Sequence, residues 1–180
     1  FIHTPRELKG SLKTNSHEAK MVGDVIESLI RLSGPDMDVE EEVGVITPFR
    51  NQRGAIRQEL LQRNVPGAEE ILIDTVESFQ GSEKEHIIIS FSVNDPAQLQ
   101  MIMEWDAERR VDRKLNVALT RAKKQLIMVG NGAVLEHEKL YGNLVEYCRS
   151  YDLYYDPQVE LSETHEGSSI ISERFYNEFD

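Results

Sequence analysis

Apolar residues recur along the chain in two patterns, one typical of helices and one typical of buried strands. Asn15 is followed three residues later by Glu18, a spacing that resembles a helix capping box. The apolar residues that follow at helical spacing are Ala19, Val22, Ile26, Leu29 and Ile30. Gly34 and Pro35 then end this first predicted helix.

Short apolar and β-branched runs predict buried strands, and these runs lie at residues 43–47, 71–73, 86–91 and 126–129. Pro48 begins a predicted helix that ends near Arg63 and has Ile56 and Leu60 on its inner face. Residues 94–112 lack periodicity and indicate an insertion or long loop, and residues 133–149 indicate one or two closing helices. Strands that alternate with amphipathic helices predict an α/β fold, with a parallel sheet covered by helices on both faces.

The run from residue 114 to residue 123 combines a helical stripe with one arginine. The stripe occupies positions i, i+3, i+4 and i+7 and consists of Leu115, Ala118, Leu119 and Ala122. Arg121 lies on its flank, and a strand follows at once. Such an arrangement suits a cation that reaches a phosphate on a neighbouring domain. Periodicity alone favours the plainer interpretation, an amphipathic helix with a solvated Arg121.

Composition narrows the class of protein. The chain has 180 residues, enough for one domain with a real core, and no apolar run approaches the roughly 18 residues of a membrane helix. The only cysteine, Cys148, permits no internal disulfide and has the pattern of a buried helical residue. We therefore expect a reducing, intracellular location, cytoplasmic or nuclear in a eukaryote. The chain begins with Phe1 rather than Met, which favours a piece of a longer protein.

The net charge of −12 argues against a broadly basic surface for duplex binding, although it leaves room for a narrow basic groove. Basic residues cluster at residues 50–63 and 109–124, whereas the tail from residue 156 is acidic. We therefore expect one domain over residues 1–155, followed by an acidic extension or linker over residues 156–180.

Several kinds of site are missing from the sequence. We find no G-x-x-x-x-G-K-[ST] loop that would cradle phosphates, and no carboxylate placed to hold Mg²⁺. The histidines show no metal-ligand spacing with Cys148, so we expect no metal site. No order of Ser, His and Asp indicates a hydrolytic triad.

Three segments, each next to a predicted strand, contain the candidate functional residues. They read VITPFRNQ at residues 45–52, DTVESFQGSEK at residues 74–84 and NVALTR at residues 116–121. In this order they resemble motifs IV, V and VI of superfamily 1 helicases, in the branch of the nonsense-mediated-decay RNA helicase and related DNA and RNA helicases. The resemblance spans roughly residues 12 to 150. It implies the second RecA-like domain of a motor that binds ATP between two such domains and single-stranded DNA or RNA across both.

The resemblance also implies roles for individual residues. Arg121 matches the arginine finger, which neutralises charge on the transferring γ-phosphoryl group. The implied nucleotide contacts are Arg50, Gln52, Gln80, Gly81 and Glu83. The implied contacts with the nucleic-acid backbone, which position a strand without reading its bases, are Thr47, Pro48, Thr75 and Val76. ATP with Mg²⁺ would be held mainly by an upstream RecA-like domain of the same polypeptide.

Plainer alternatives stay open at this stage. Thr75 could be an ordinary strand-end residue, Gln80 could stabilise its own turn, and Glu83 could pair with Lys84 or Arg121. The chain as a whole could be a non-catalytic nucleic-acid or protein interaction module that kept the helicase fold. A third possibility is a small flavodoxin-like domain that binds another phosphorylated ligand.

The sequence departs from the family pattern at two positions. Many relatives carry Arg where this chain has Ser82, which has no guanidinium to make the corresponding contact. Family members often have Arg where this chain has Lys114, which keeps the charge but loses the bidentate fork of a guanidinium.

Overall fold

The computed structural model describes residues 1–7, 13–108 and 110–159. Within these ranges one sheet contains five strands: β1 (Ile2–His3), β2 (Val43–Ile46), β3 (Leu72–Asp74), β4 (Lys84–Ser90) and β5 (Ala122–Gly130). Their spatial order is β1-β5-β4-β2-β3, and every neighbouring pair is parallel. The predicted α/β fold, a parallel sheet covered by helices on both faces, is confirmed.

Helices connect the strands and cover both faces of the sheet. They are α1 (Ser16–Ser33), α2 (Val39–Glu42), α3 (Arg50–Gln62), α4 (Leu99–Ile102), α5 (Arg113–Leu119), α6 (Gly132–Leu135) and α7 (Lys139–Ser150). Two short 3-10 turns lie at Val76–Phe79 and Pro96–Gln98. Helix α1 begins at its predicted cap, because the side chain of Asn15 accepts a hydrogen bond from the N–H of Glu18 at 3.0 Å.

Two apolar cores lie on opposite faces of the sheet, because successive strand residues point to opposite sides. One core packs β-strand residues such as Val45 and Ile88 against α1 and α3. The other packs Ile87 and Ile89 against the first 3-10 turn and helices α4 to α7. Since both faces are covered, β2 and the later parts of β4 and β5 are apolar on both sides, which explains the continuous apolar runs in the sequence.

Several elements differ from the prediction, and α3 begins at Arg50 rather than at Pro48. Strand β1 has only two residues, too few for a pattern, and pairs with β5. Residues 94–112 contain α4, whose Leu99 and Ile102 are buried, so this segment is part of the core and not a simple loop. Strand β5 begins at Ala122, four residues before the predicted start, because the exposed Lys123 and Lys124 interrupt the apolar pattern.

The helix predicted to carry Arg121 ends before it. The Thr120 hydroxyl donates to the carbonyls of Asn116 at 3.1 Å and Val117 at 3.0 Å, and the chain tightens into a turn. Side-chain bonds to the backbone compete with the helical ladder in this way. Arg121 therefore lies in the connection between α5 and β5, and Ala122 is a strand residue rather than part of a helical stripe.

The C-terminal part of the described chain closes the domain. Cys148 is a free, buried residue of α7, as predicted. The backbone of Tyr155 forms hydrogen bonds with Phe1 and His3. Residues 160–180, most of the predicted acidic extension, lie outside the described residues. Among the helices that are described, none combines the length and apolar character needed to cross a membrane.

Candidate functional site

The predicted site residues lie at two different edges of the sheet. The carboxyl edge, where the parallel strands end, contains Thr47, Pro48, Arg50, Gln52, Thr75 and Val76. The amino edge, where the strands begin, contains Gln80, Gly81, Glu83 and Arg121. Strand β4 has seven residues, so at roughly 3.3 Å per residue the two edges lie about 20 Å apart along the strands. The structure therefore presents two separate surfaces.

A pocket of about 580 Å³ opens at the carboxyl edge, between the ends of β2 and β4. Strand β2 connects to β3 on one side, whereas β4 connects to β5 on the other side. The pocket therefore lies at the point where the chain connections diverge. Ligands of open α/β sheets bind at such a switch point.

The inner wall of this pocket is apolar and its rim is charged. The inner wall consists of Ile46, Ile89, Phe91, Ile102, Leu115, Ala118 and Tyr141. The charged rim consists of Arg50, Arg53, Asp74, Glu77 and Lys114. Pro48, Thr75 and Val76, which were predicted to contact nucleic acid, also line the pocket. The rim has one more cation than it has carboxylates, although the chain as a whole carries a charge of −12.

Ion pairs hold two of the three rim cations. Arg53 Nη1 lies 3.0 Å from Asp74 Oδ1, and Lys114 Nζ lies 2.9 Å from Glu77 Oε1. Partial burial alone would raise the pKa of Glu77, but hydrogen bonds from the Thr75 hydroxyl and from Lys114 outweigh it and lower the pKa to about 2. Glu77 is therefore ionised at neutral pH and keeps Lys114 at the rim.

The third rim cation, Arg50, is exposed, and its side chain makes no ion pair or hydrogen bond within the part of the chain that the structure describes. It is the first residue of α3, and Phe49 before it supplies no side-chain cap to the N–H groups of the first turn. The positive end of the helix dipole adds to the charge of Arg50. This side of the rim suits an anion.

Two of the predicted contact residues are fully buried beneath the rim. The Gln52 amide oxygen accepts the N–H of Asn15 at 2.8 Å, and its nitrogen donates to the Asn15 carbonyl at 3.0 Å and to Ser90 Oγ at 3.1 Å. Thr47 Oγ1 lies 3.5 Å from Ser92 Oγ. Both side chains support the edge from inside, and their predicted ligand contacts stay predictions.

Glu18 is the centre of this buried polar network, a role that its position in a predicted capping box did not reveal. Its Oε2 accepts hydrogen bonds from the Ser90 hydroxyl at 2.7 Å and the Ser92 N–H at 2.8 Å, whereas Oε1 has no partner among the described residues. Burial raises the pKa of Glu18 to about 8, and the two hydrogen bonds oppose that shift only in part. Ser92 has φ of +47°, which is uncommon for a residue other than glycine. Glu18 thus holds a strained end of β4.

At the amino edge, three hydrogen bonds fix the half-buried Arg121. Nε donates to the Val117 carbonyl at 3.1 Å, Nη1 to the Ser82 carbonyl at 3.3 Å, and Nη2 to Thr120 Oγ1 at 3.1 Å. The carbonyl of Arg121 accepts the N–H of Lys84 at 3.1 Å. The structure therefore brings Arg121 and the 80–84 turn together, as the motif comparison implied.

The rest of the amino edge faces solvent. Gln80, Gly81 and Glu83 are exposed. Gly81 has φ of +80°, a conformation that glycine adopts without strain, and nothing lies within 4 Å of the position that a Cβ would take. Within the described ranges Glu83 does not pair with Lys84 or Arg121, because Lys84 Nζ donates to the Glu40 carbonyl at 2.6 Å and the hydrogen bonds of Arg121 go to other groups. A ligand on this surface can approach the turn closely.

The rim also contains Arg53 and the Glu77–Lys114 pair, which the sequence motifs did not predict. Arg53 follows Arg50 by three residues and so lies on the same side of α3, a signal that was available. Glu77 and Lys114 are distant in the sequence, and only the packing of the first 3-10 turn against α5 brings them together.

Comparison with known proteins gives one family and several relatives. A family model described as an AAA domain matches residues 3–133. The chain is 32% identical over 160 residues to the putative helicase MOV-10 of Gallus gallus, covering 83% of this chain and 16% of that protein. It is 30% identical over 172 residues to the DNA replication ATP-dependent helicase/nuclease DNA2 of Mus musculus, covering 94% and 15%. It is 30% identical over 145 residues to regulator of nonsense transcripts 1 of Dictyostelium discoideum, covering 78% and 10%. The chain thus spans less than a fifth of the length of these relatives.

Proposed function

The chain belongs to the AAA-domain family within the superfamily 1 helicases, as a second RecA-like domain with motifs IV, V and VI. We propose that it supplies the arginine finger and part of the single-strand track of an ATP-dependent DNA or RNA helicase. Because it spans only a small part of its relatives, the activity of the whole protein is part of this proposal.

The fixed position of Arg121 carries the proposal. A guanidinium has five N–H donors, and three of them are bound within the domain, which leaves two for a phosphate. The surface around Arg121 is open, so a phosphate there would have to be held by another domain. We propose that this phosphate is the γ-phosphate of ATP, and that Arg121 neutralises the charge that develops during its transfer.

The exposed turn beside Arg121 supports contacts with the same nucleotide. Gly81 allows the backbone to approach the ligand, and we propose that Gln80 and Glu83 hydrogen-bond to it, Glu83 to the sugar. Superfamily 1 helicases depend on ATP and Mg²⁺. We propose that an upstream RecA-like domain of the same polypeptide holds both, since the phosphate-cradling loop is not among these 180 residues.

At the other edge, we propose a track for the nucleic-acid backbone. Pro48, Thr75 and Val76 line the mouth of the pocket, and Arg50 beside them has the charge to bind a phosphate. We therefore reassign Arg50 from the nucleotide to the strand, and treat the buried Thr47 and Gln52 as residues that position this edge. Phosphate contacts of this kind neither read sequence nor involve the 2′-hydroxyl, so the proposed track accepts either DNA or RNA.

The test compares the isolated chain with the full-length parent. We expect no ATP turnover by the isolated chain, and nucleic-acid-stimulated turnover by the parent, an intracellular enzyme in our proposal. ATP turnover by the pure chain would contradict the proposal that hydrolysis needs a second domain. A parent that binds nucleic acid without any stimulated turnover would support the alternative of a non-catalytic module.

A further inference from the structure

We propose that the carboxyl-edge pocket receives one base of the bound single strand, while Arg50 at its rim binds the adjacent phosphate. The inference rests on the proposed nucleic-acid track and deepens it, because the strand would then be held by a base as well as by its backbone. The occupant is a nucleotide unit of a single strand, with no requirement for a particular base.

The shape and lining of the pocket suit a base. Its volume of about 580 Å³ lies within the roughly 300 to 1,000 Å³ of pockets that bind small molecules. The rings of Phe91 and Tyr141 pack edge to face, 5.9 Å apart at 75°, and form part of the inner wall. The Tyr141 hydroxyl already donates to Asp112 Oδ2 at 2.8 Å, so this ring offers its surface rather than its polar end. Apolar and aromatic walls accept the flat face of any base.

The charge pattern distinguishes a nucleotide from an apolar peptide as the occupant. The rim has an excess of positive charge on a strongly acidic chain, and this places the attraction for a phosphate at the mouth of the pocket. Arg53 and Lys114 are held by Asp74 and Glu77, which leaves Arg50 as the rim cation without an internal partner in the described chain. An anion at the rim and an apolar ring inside match the two parts of a nucleotide.

Met101 provides an adaptable contact at the mouth. It lines the pocket and is 59% exposed, whereas Leu99 and Ile102 on the same short helix are buried and anchor it. A flexible thioether beside an apolar pocket can pack against rings of different size. We therefore expect Met101 to cover the bound base.

The experiment measures whether the bases contribute to binding. The chain is titrated at low salt, by fluorescence anisotropy, with labelled oligothymidylate of about ten nucleotides and with an abasic strand of the same length and charge. We expect the strand with bases to bind roughly tenfold more tightly than the abasic strand. Met101→Ala and the pocket-filling Ala118→Met should bring this ratio towards one by weakening the binding of the strand that has bases. Leu61→Ala, an exposed apolar residue outside the pocket, is the control and should keep the wild-type ratio.

The possible outcomes distinguish binding of a base in the pocket from binding of the phosphates along the track. Equal affinity for the two strands overturns the base pocket and leaves the phosphate track in place. No binding of either strand counts against the track itself, and thus against the proposed function. Pocket variants that leave both affinities unchanged but weaken association with the upstream domain would identify a protein occupant and overturn the proposal.

Photochemical cross-linking of the wild-type chain gives a second measurement, which needs no variant. Wild-type chain is irradiated with an oligonucleotide that contains 5-iodouracil, and the modified peptides are identified by mass spectrometry. We expect cross-links at Phe91, Met101 or Tyr141. Cross-links confined to residues outside the pocket would overturn the proposal.

Discussion

At the carboxyl edge of the sheet, one chain supplies the whole of a pocket: an apolar wall, a rim with paired charges, and a buried polar network beneath it. At the amino edge, the same chain supplies one fixed arginine and an exposed turn, and no described residue packs over them. In our proposal, the first edge holds a ligand by itself. The second edge is then half of a site, which another domain completes.

Helix α5 links the two edges. Lys114, Leu115 and Ala118 face the pocket, and the C-terminal end of the helix leads directly to Arg121. Its N-terminus is held by Asp112, which is buried and accepts hydrogen bonds from the backbone N–H groups of Lys114 and Leu115 and from the Tyr141 hydroxyl. A displacement of α5 would therefore disturb both edges, whereas changes at its two ends should separate them.

The largest effect is expected at the amino edge. Arg121→Ala in the full-length parent should lower nucleic-acid-stimulated ATP turnover by roughly 10³-fold or more, because an arginine finger stabilises the transition state. Steady-state ATPase assays measure the loss, and circular dichroism checks the fold. Arg113→Ala, an exposed arginine at the start of α5, is the control and should retain turnover. A loss of less than about tenfold, or 1.4 kcal/mol, would show that Arg121 is not the finger.

The next effect concerns the helix that joins the edges. Asp112→Ala should lower the free energy of unfolding by roughly 2 to 4 kcal/mol, because it removes a helix cap and leaves the buried Tyr141 hydroxyl without its partner. Urea denaturation measures this change. Asp38→Ala removes the exposed cap of the short helix α2 and should cost less than about 1 kcal/mol. Equal costs for the two variants would mean that α5 is not anchored in this way.

An effect that depends on pH, and that is smaller for each single pH unit, is expected at the carboxyl edge. Glu18 keeps its proton in the folded state up to about pH 8, whereas the unfolded chain loses it near the ordinary value of 4.5. The free energy of unfolding should therefore fall as the pH rises from 4.5 to 8, by up to about 1.4 kcal/mol per pH unit, and change little from this group outside that window. Urea denaturation across this range should show the slope in wild type and its loss in Glu18→Gln.

The exposed Glu69→Gln is the matched control for Glu18→Gln and should keep the wild-type slope. If Glu18→Gln retains the slope as well, Glu18 is not the group that titrates. The pH dependence would then have to come from another part of the fold.

The smallest effect is expected at Thr120, which lies beside Arg121 at the amino edge. Thr120→Val removes the oxygen that accepts a hydrogen bond from Arg121 Nη2, so we expect kcat of the parent to fall by roughly 2- to 10-fold with little change in KM for ATP. Thr120→Ser keeps the hydroxyl and should restore kcat. A change in KM without a change in kcat would argue that Thr120 affects binding of ATP rather than the placement of the finger.

Much of the fold could be predicted from the sequence, because the apolar pattern within each segment shows which of its side chains are buried. The long apolar runs of β2 and β4, the cap and stripe of α1, and the break before α3 are all properties of neighbouring residues. The motif order also identified the family. The parts that could not be predicted lacked a local pattern, as with the two residues of β1 and the lysines that begin β5.

The sequence by itself determined the parallel sheet, the order of its elements and the residue types that bear the chemistry. Only the tertiary structure decided which of them meet. The order β1-β5-β4-β2-β3 buries Glu18 and Gln52 under the ends of strands that are distant in the chain, and the packing of the helices pairs Glu77 with Lys114. The physical reason is that periodicity specifies which face of a segment is apolar, whereas contacts between polar side chains depend on where the sheet places segments that are distant in sequence.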